Sequence, residues 1–282
     1  MRDRVYGSMN RDEKVSKTSN REFTKANCMD WLDKLEDESV DLWVIDPPYN
    51  VLTGNMTNKN GAAVFHSRYT AKVSPSESDL EKGIVTPRFE VAIPWEEKQK
   101  LDEYKETCYQ WYCKAHAKLA EDSFMFIFWS MRYLYLAYQL FDVNRVIFWQ
   151  QPNMVSSISG DFCYDITPII IIRKGNPRLN KNAGLWDKSS ILNFTKPQGN
   201  YKKDKLCHPC QKPQALLEHL VWLSDKDHEN CVIGDFFAGS GSLLRAVNKA
   251  DVILCDMNDE YYDKYFDTYV TDERVYRCKK IK

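Results

Sequence analysis

Asp46-Pro47-Pro48-Tyr49-Asn50 follows directly on the run Val40-Asp41-Leu42-Trp43-Val44-Ile45, so an apolar strand delivers a carboxylate, two prolines and an aromatic ring to its carboxyl end. Those residue types suit the holding of a planar amine. An exocyclic amino group on a nucleobase has its lone pair drawn into the ring, and it is a poor nucleophile until acceptors hold its hydrogens. Asp46 is one acceptor and the carbonyl of Pro47 is a second, because prolines stiffen the turn and remove competing N–H donors. Tyr49 can stack on the ring, a contact worth about 1–3 kcal/mol per base. Taken alone, the pentapeptide reads equally well as an ordinary strand that ends in a proline turn.

Far along the chain, Cys231-Val232-Ile233-Gly234-Asp235-Phe236-Phe237-Ala238-Gly239-Ser240-Gly241-Ser242 reads as a short strand, a small-residue turn and the start of a helix from Leu243 to Asn248. Gly239 and Gly241 would let the backbone approach a ligand closely at a helix N-terminus. Glycines alone say little. The following strand, Val252-Ile253-Leu254-Cys255, ends in Asp256 and Met257, where a nucleoside ribose needs an acidic partner for its hydroxyls. A third segment, His208-Pro209-Cys210-Gln211-Lys212-Pro213, leads into an apolar helix from Ala215 to Leu223.

Asp-Pro-Pro-Tyr first, His-Pro-x-Gln-Lys-Pro next and Phe-x-Gly-x-Gly last resemble the β group of S-adenosylmethionine-dependent DNA amino-methyltransferases, in that permuted order. The resemblance spans Phe23 to about Asp267 and is strongest at the motifs. It implies that Phe237, Ala238, Gly239, Ser240 and Gly241 lie beside the methionine part of the cofactor and that Asp235 lies near its amino group. It implies too that His208 and Lys212 help to close the cofactor pocket, with Asp46 at its border and Asp256 and Met257 at the nucleoside end. Ala26-Asn27-Cys28-Met29 stands where the family shows Gly-Asp-Cys-Leu, whose aspartate reaches the cofactor's adenine. Asn27 offers one hydrogen bond there without the charge. Phe236 stands where proline is common.

Positioning these residues requires a sheet whose strands end together. Val40 to Ile45, Phe124 to Trp129 and Ile169 to Ile172 are uninterrupted apolar runs and read as buried parallel strands. Trp95 to Leu119 carries Leu101, Tyr104, Cys108, Trp111, Tyr112 and Ala115 at helical spacing, and Met131 to Phe141 is similar. The alternation predicts an α/β, Rossmann-like, doubly wound and mostly parallel sheet with helices on both faces and ligands at the carboxyl ends of the strands. Asp46, Asp235 and Asp256 all fall at such ends. Phe124, Phe126, Phe128 and Trp129 are read as core, as is one face of Tyr261, Tyr262, Tyr265 and Phe266.

With 282 residues, 43% of them hydrophobic, the chain can bury one sizeable core. The expected organisation is an irregular tail over residues 1–20 and a single catalytic domain over 21–282 with insertions at about 51–94 and 173–205. A net charge of −1 argues against coating of nucleic acid by bulk electrostatics. Between Arg173 and Lys205, nine Lys or Arg face two Asp, a surplus of seven, and Lys196, Lys202 and Lys203 are candidate phosphate contacts. A solvated charge run is the plain alternative. In the first insertion His66, Arg68 and Tyr69 are the candidate base or phosphate contacts.

Nine scattered cysteines argue against a disulfide framework and for a reducing compartment. Cys207 and Cys210 form a C-x-x-C pair with no second pair at ligand spacing, so no metal is expected. No apolar run approaches the roughly 20 residues of a membrane span, and the N-terminus is too charged for a signal peptide. The expected setting is cytoplasmic, bacterial or phage-encoded. The expected chemistry is methyl transfer from S-adenosylmethionine to N6 of a flipped-out adenine in DNA, double-stranded, with a homodimer and a cognate restriction endonuclease as further expected partners. N4-cytosine methylation, RNA methylation and a non-catalytic nucleic-acid-binding subunit are the alternatives. The family's cytosine enzymes more often carry serine in place of Asp46.

Overall fold

The computed structural model describes residues 18–49, 70–73, 88–91, 101–153, 165–197, 207–208 and 210–281. In chain order the elements are β1 (Arg21–Lys25), α1 (Cys28–Leu32), β2 (Val40–Ile45), β3 (Thr70–Val73), β4 (Arg88–Val91), α2 (Leu101–Lys118), β5 (Leu119–Phe128), α3 (Leu134–Leu140), β6 (Arg145–Gln150), β7 (Ile166–Lys174), β8 (Ile191–Asn193), α4 (Gln214–Ser224), β9 (Val232–Asp235), β10 (Asp251–Asp256), α5 (Glu260–Tyr269), α6 (Glu273–Tyr276) and β11 (Lys279–Ile281). Among these residues nine strands form one sheet in the order β11-β1-β10-β9-β2-β5-β7-β6-β8, and β3 and β4 pair antiparallel in a second. The stretch 51–94 is therefore not loop throughout.

Within the large sheet every neighbouring pair is parallel except those of β7, which runs antiparallel to both β5 and β6. The expectation that Ile169 to Ile172 lies in a parallel strand is thus corrected. Reversing one strand puts the start of β7 at the edge where β5 and β6 end, and this shortens the connection from β6. The order and directions make a largely parallel Rossmann-like sheet with permuted strand order and helices on both faces.

The buried strands explain the apolar runs. In β2, Leu42 and Val44 face one layer, with Leu216, Leu217, Leu220 and Val221 of α4. Trp43 and Ile45 face the other layer, with Trp31 and Leu32 of α1 and Tyr104, Cys108, Trp111 and Ala115 of α2. A strand covered on both sides needs apolar residues at every position rather than at alternate ones. Each large side chain buried this way contributes about 1.5–3 kcal/mol.

One close approach fixes the spacing of β2 and β9. Trp43 lies opposite Gly234, and a methyl group added to Gly234 would fall 2.3 Å from the indole. The indole is held by its N–H, which donates to the Ala115 carbonyl at 3.0 Å.

The helix expected from Leu243 to Asn248 is also corrected. Ser242–Ala246 forms a 3₁₀ turn, and Val247 is already extended. The carboxylate of Asp227 accepts the N–H groups of Asn248, Lys249 and Ala250 at 2.6–3.0 Å, so it draws the backbone out of helical geometry. The buried Arg21 donates to the carbonyls of Leu244 and Val247 and closes the turn. Burial pushes the Arg21 guanidinium down to about 10. The charge-rich stretch after Arg173 is only partly loop: Arg173 and Lys174 end β7, and Ile191–Asn193 adds an edge strand beside β6.

Candidate functional site

Parallel strands end at one edge of the sheet, and the motifs meet there. β2 and β9 are neighbours, with Leu42 opposite Ile233 and Trp43 opposite Gly234. Asp46, one residue past β2, and Asp235, the last of β9, therefore sit on adjacent strand ends. Asp256 ends β10 on the far side of β9, and Asn27 follows β1 beyond that.

Asp46 is half-buried and already engaged. Tyr49 donates its hydroxyl to one carboxylate oxygen, and the ammonium of Lys212 bonds the other. The Pro48 carbonyl accepts the Tyr104 hydroxyl at 3.0 Å, which ties the proline turn to α2. No described residue bonds the Pro47 carbonyl. Burial, then the Asp46 charge, holds the Tyr49 phenol well above its usual range, so Tyr49 remains a donor.

The glycine turn is built on left-handed backbone at Gly239 (φ 51°) and Gly241 (φ 78°), a conformation that glycine adopts without steric cost. The Asp256 carboxylate accepts the N–H groups of Gly239 at 2.7 Å and Asn258 at 2.8 Å, and the Asp235 carboxylate accepts that of Phe237 at 2.9 Å. Asp256 thus braces the turn. Asn27 caps α1 by accepting the Met29 N–H at 2.8 Å, and its amide lies 3.9 Å from the sulfur of Met257. Ala26 donates to the Asp256 carbonyl at 3.1 Å, which locks these two corners together. Burial raises the Cys28 thiol to about 11, so it stays neutral.

The segment from Cys207 to Lys212 joins the two turns. Gln211 accepts the Cys207 N–H at 2.9 Å and donates its own N–H to the His208 carbonyl, so this short loop is internally tied. A methyl group on Gly239 would sit 3.5 Å from the His208 imidazole, which also packs edge-on against Tyr261 at 4.5 Å. Burial, then the charges of Lys212 and Lys264, pushes His208 down to about 3, and the ring is neutral at physiological pH. Lys212, further along, bonds Asp46 and the Cys210 carbonyl at 3.2 Å and lies 5.0 Å from the centre of the Phe128 ring.

Desolvation dominates the electrostatics of the acids. Asp235 is held well above the usual carboxylate range, first by burial and then by the charges of Asp46 and Asp256, against the Phe237 N–H and Lys212. Asp256 is raised in the same way, again by burial, against the N–H groups of Asn258, Gly239 and Met257.

Two participants were not legible as such in the sequence. Phe128 and Tyr104 have core spacing and are buried, yet their edges touch the site. Lys196 sits at the carboxyl end of β8, where Asn153 clasps its backbone with two hydrogen bonds of 2.8 Å. Burial lowers its ammonium, with smaller effects from the charges of Cys210, Lys212 and Asp46. Trp149 is buried with its N–H on the Phe194 carbonyl. His66, Arg68, Tyr69, Lys202 and Lys203 lie outside the described residues, as does Pro209.

The DNA methylase family model, of the N6/N4 class, matches residues 40–267. The chain is 23% identical over 251 residues to the type II methyltransferase M2.LlaDCHI of Lactococcus lactis subsp. cremoris, covering 84% of each chain. Among solved structures it superposes on the PvuII DNA methyltransferase (cytosine-N4-specific) with a TM-score of 0.58 and 13% identity, over 91% of each chain. It superposes on M1.HpyAVI in complex with SAM with a TM-score of 0.55 and 17% identity, over 88% of this chain and 98% of that one. No helix among the described residues is long and apolar enough to cross a membrane. With the family model covering all three motifs, the chain belongs to the N6/N4 class of DNA methylases.

Proposed function

We propose that this chain transfers a methyl group from S-adenosylmethionine to N6 of an adenine extruded from duplex DNA. The observation that carries the reading is the adjacency of the Asp46 and Gly239 turns on neighbouring strand ends, joined by the loop from Cys207 to Lys212.

The residues present fit the cofactor. The glycine turn is left-handed at Gly239, where a side chain would be strained and a ligand can approach the backbone, Asp235 is a desolvated carboxylate suited to an amino group, and Asp256 and Asn27 suit the nucleoside end. Phe237 to Gly241 would hold the methionine part. When bound, the cofactor supplies an electrophilic methyl group carried on a sulfonium.

Asp46 and the Pro47 carbonyl accept the two hydrogens of the target amine, and Tyr49 stacks on the ring. Extrusion of the nucleotide costs a few kcal/mol, on the order of what one or two such contacts return. Rate comes from orientation: Asp46 fixes the amine where its lone pair can meet the methyl in line, and the buried aromatic walls exclude water. Asp46 also stabilises the positive charge that grows on the nitrogen. The proton leaves readily once the new N–C bond has formed, so no strong base is needed.

The same contacts fit N4 of cytosine, and the matching family model spans both activities. Asp46 in place of serine favours adenine. Similarity to a type II methyltransferase supports a role beside a cognate endonuclease, and recognition by the segments around Lys196 and His66 completes the reading. Purified protein incubated with S-adenosylmethionine and duplex DNA, followed by mass spectrometry of the nucleosides, tests it. N6-methyladenine is the expected product; N4-methylcytosine would transfer the reading to cytosine, and the absence of any modified base would refute it.

A further inference from the structure

Asp46 is the intended acceptor for an amine on a flat ring, yet in this structure a different N–H donor is already there. The Lys212 ammonium bonds Asp46, takes the Cys210 carbonyl as a second acceptor, and lies 5.0 Å from the Phe128 ring and 5.9 Å from the Tyr49 ring. A carboxylate, a backbone carbonyl and two aromatic rings are also what a target amine needs. The lysine side chain is only 9% exposed. The loop carrying it is tied by Gln211, so Lys212 can leave by rotating its side chain without moving the backbone.

An ammonium cannot usefully stay. The amine nitrogen becomes positive as a methyl group arrives, and a neighbouring cation on the same carboxylate opposes that charge. Lys212 also acts electrostatically on Asp235, at the end of the site expected to take the donor's amino acid moiety. One cation therefore stands between a base-holding acid and the donor end.

We propose that Lys212 is a positioning residue that holds the place of the target amine on Asp46 and moves to the donor's carboxylate when the donor is bound. The base is then gripped only in the donor-loaded protein. This rests on the amino-methyltransferase reading above.

The test uses a duplex with 2-aminopurine at the modified position, titrated with full-length protein while the fluorescence of the extruded base is followed. With the unsubstituted chain, sinefungin, which carries the amino acid moiety, should tighten binding about tenfold or more, and 5′-methylthioadenosine, which lacks it, should not. Lys212→Met should bind the donor-free duplex nearly as tightly as the loaded wild type does, with the sinefungin effect reduced below about threefold. Lys212→Arg, which keeps a cation on Asp46, should retain most of the coupling. Lys212→Gln provides a second neutral variant, with thermal unfolding as the check on folding. Donor-free binding that weakens or stays unchanged in both neutral variants, or coupling that persists in them, would overturn the proposal while leaving the function intact. An unsubstituted chain that never extrudes the base would overturn both.

Discussion

Gly234→Ala is the most exacting test of how the site is spaced. The new methyl would lie 2.3 Å from one indole atom of Trp43 and 2.7 Å from another, where ordinary contact begins at 3.4 Å, so about 1.1 Å must be found. The indole cannot readily supply it. Its N–H is on Ala115, and its ring meets Phe236 at 5.1 Å and Trp31 at 6.3 Å, both edge-on. β2 and β9 must then move apart, which separates Asp46 from Asp235. Overpacking of this kind costs about 1–3 kcal/mol, and the rigid surroundings place this case near the top of that range. A displacement of about 1 Å at a reacting centre lowers turnover on the order of a hundredfold. Urea unfolding and kcat on the same preparations read both effects. Trp43→Leu alone should destabilise by cavity formation, whereas the double variant should be more stable than the sum of the singles by at least about 1 kcal/mol. Additive losses, or a Gly234→Ala protein within about 0.5 kcal/mol of wild type, would refute the argument from strand spacing.

The Asp235 carboxyl is raised, so its contribution to stability is present in full below the unfolded value of 3.8 and is lost as pH rises through the folded value. Asp235→Asn should therefore be the more stable protein at neutral pH and should flatten this part of the pH–stability curve. It should also weaken cofactor binding by about tenfold or more, because a charged hydrogen bond to the amino group is gone. Wild-type cofactor affinity should rise with pH as Asp235 ionises, a trend that calorimetry on both proteins would show or exclude. Tyr104→Phe should lower kcat by roughly tenfold with little change in cofactor affinity, since one hydrogen bond of about 1 kcal/mol steadies the Pro48 carbonyl. Asp227→Ala should cost about 2–3 kcal/mol in urea unfolding, because three backbone N–H groups lose their acceptor.

The strands that carry the site were readable because burial on both faces demands continuous apolar runs, as in Leu42 to Ile45. Direction was not readable. Ile169 to Ile172 has the same composition whichever way it runs, and only its pairing with β5 and β6 reveals the reversal. β8 is three residues long, too short for any periodic signal. The failed helix after Gly241 depended on Asp227, which lies before β9, and local propensity holds no information about such a contact.

Within the site, Asp46, Asp235 and Asp256 could be placed together because each follows a strand that must end at the same edge. The bond from Lys212 to Asp46 could not, since 166 residues separate them and the motif alone gives the lysine to the cofactor side. Lys196 sits in a run of charges that by composition belongs in solvent, and its clasp by Asn153 turns it inward. Phe128 and Tyr104 satisfy the spacing of core residues and are core; that their edges also bound the site is a property of the strand ends.

Asp46→Ala provides the most direct measurement of the central claim, with cofactor binding by calorimetry and single-turnover methyl transfer to duplex DNA followed on one preparation. The proposed division of labour predicts transfer reduced by at least about a thousandfold and a cofactor Kd within about threefold of wild type. Transfer that persists, or cofactor affinity that collapses with it, would contradict an Asp46 turn that grips the base beside a separate glycine turn for the donor.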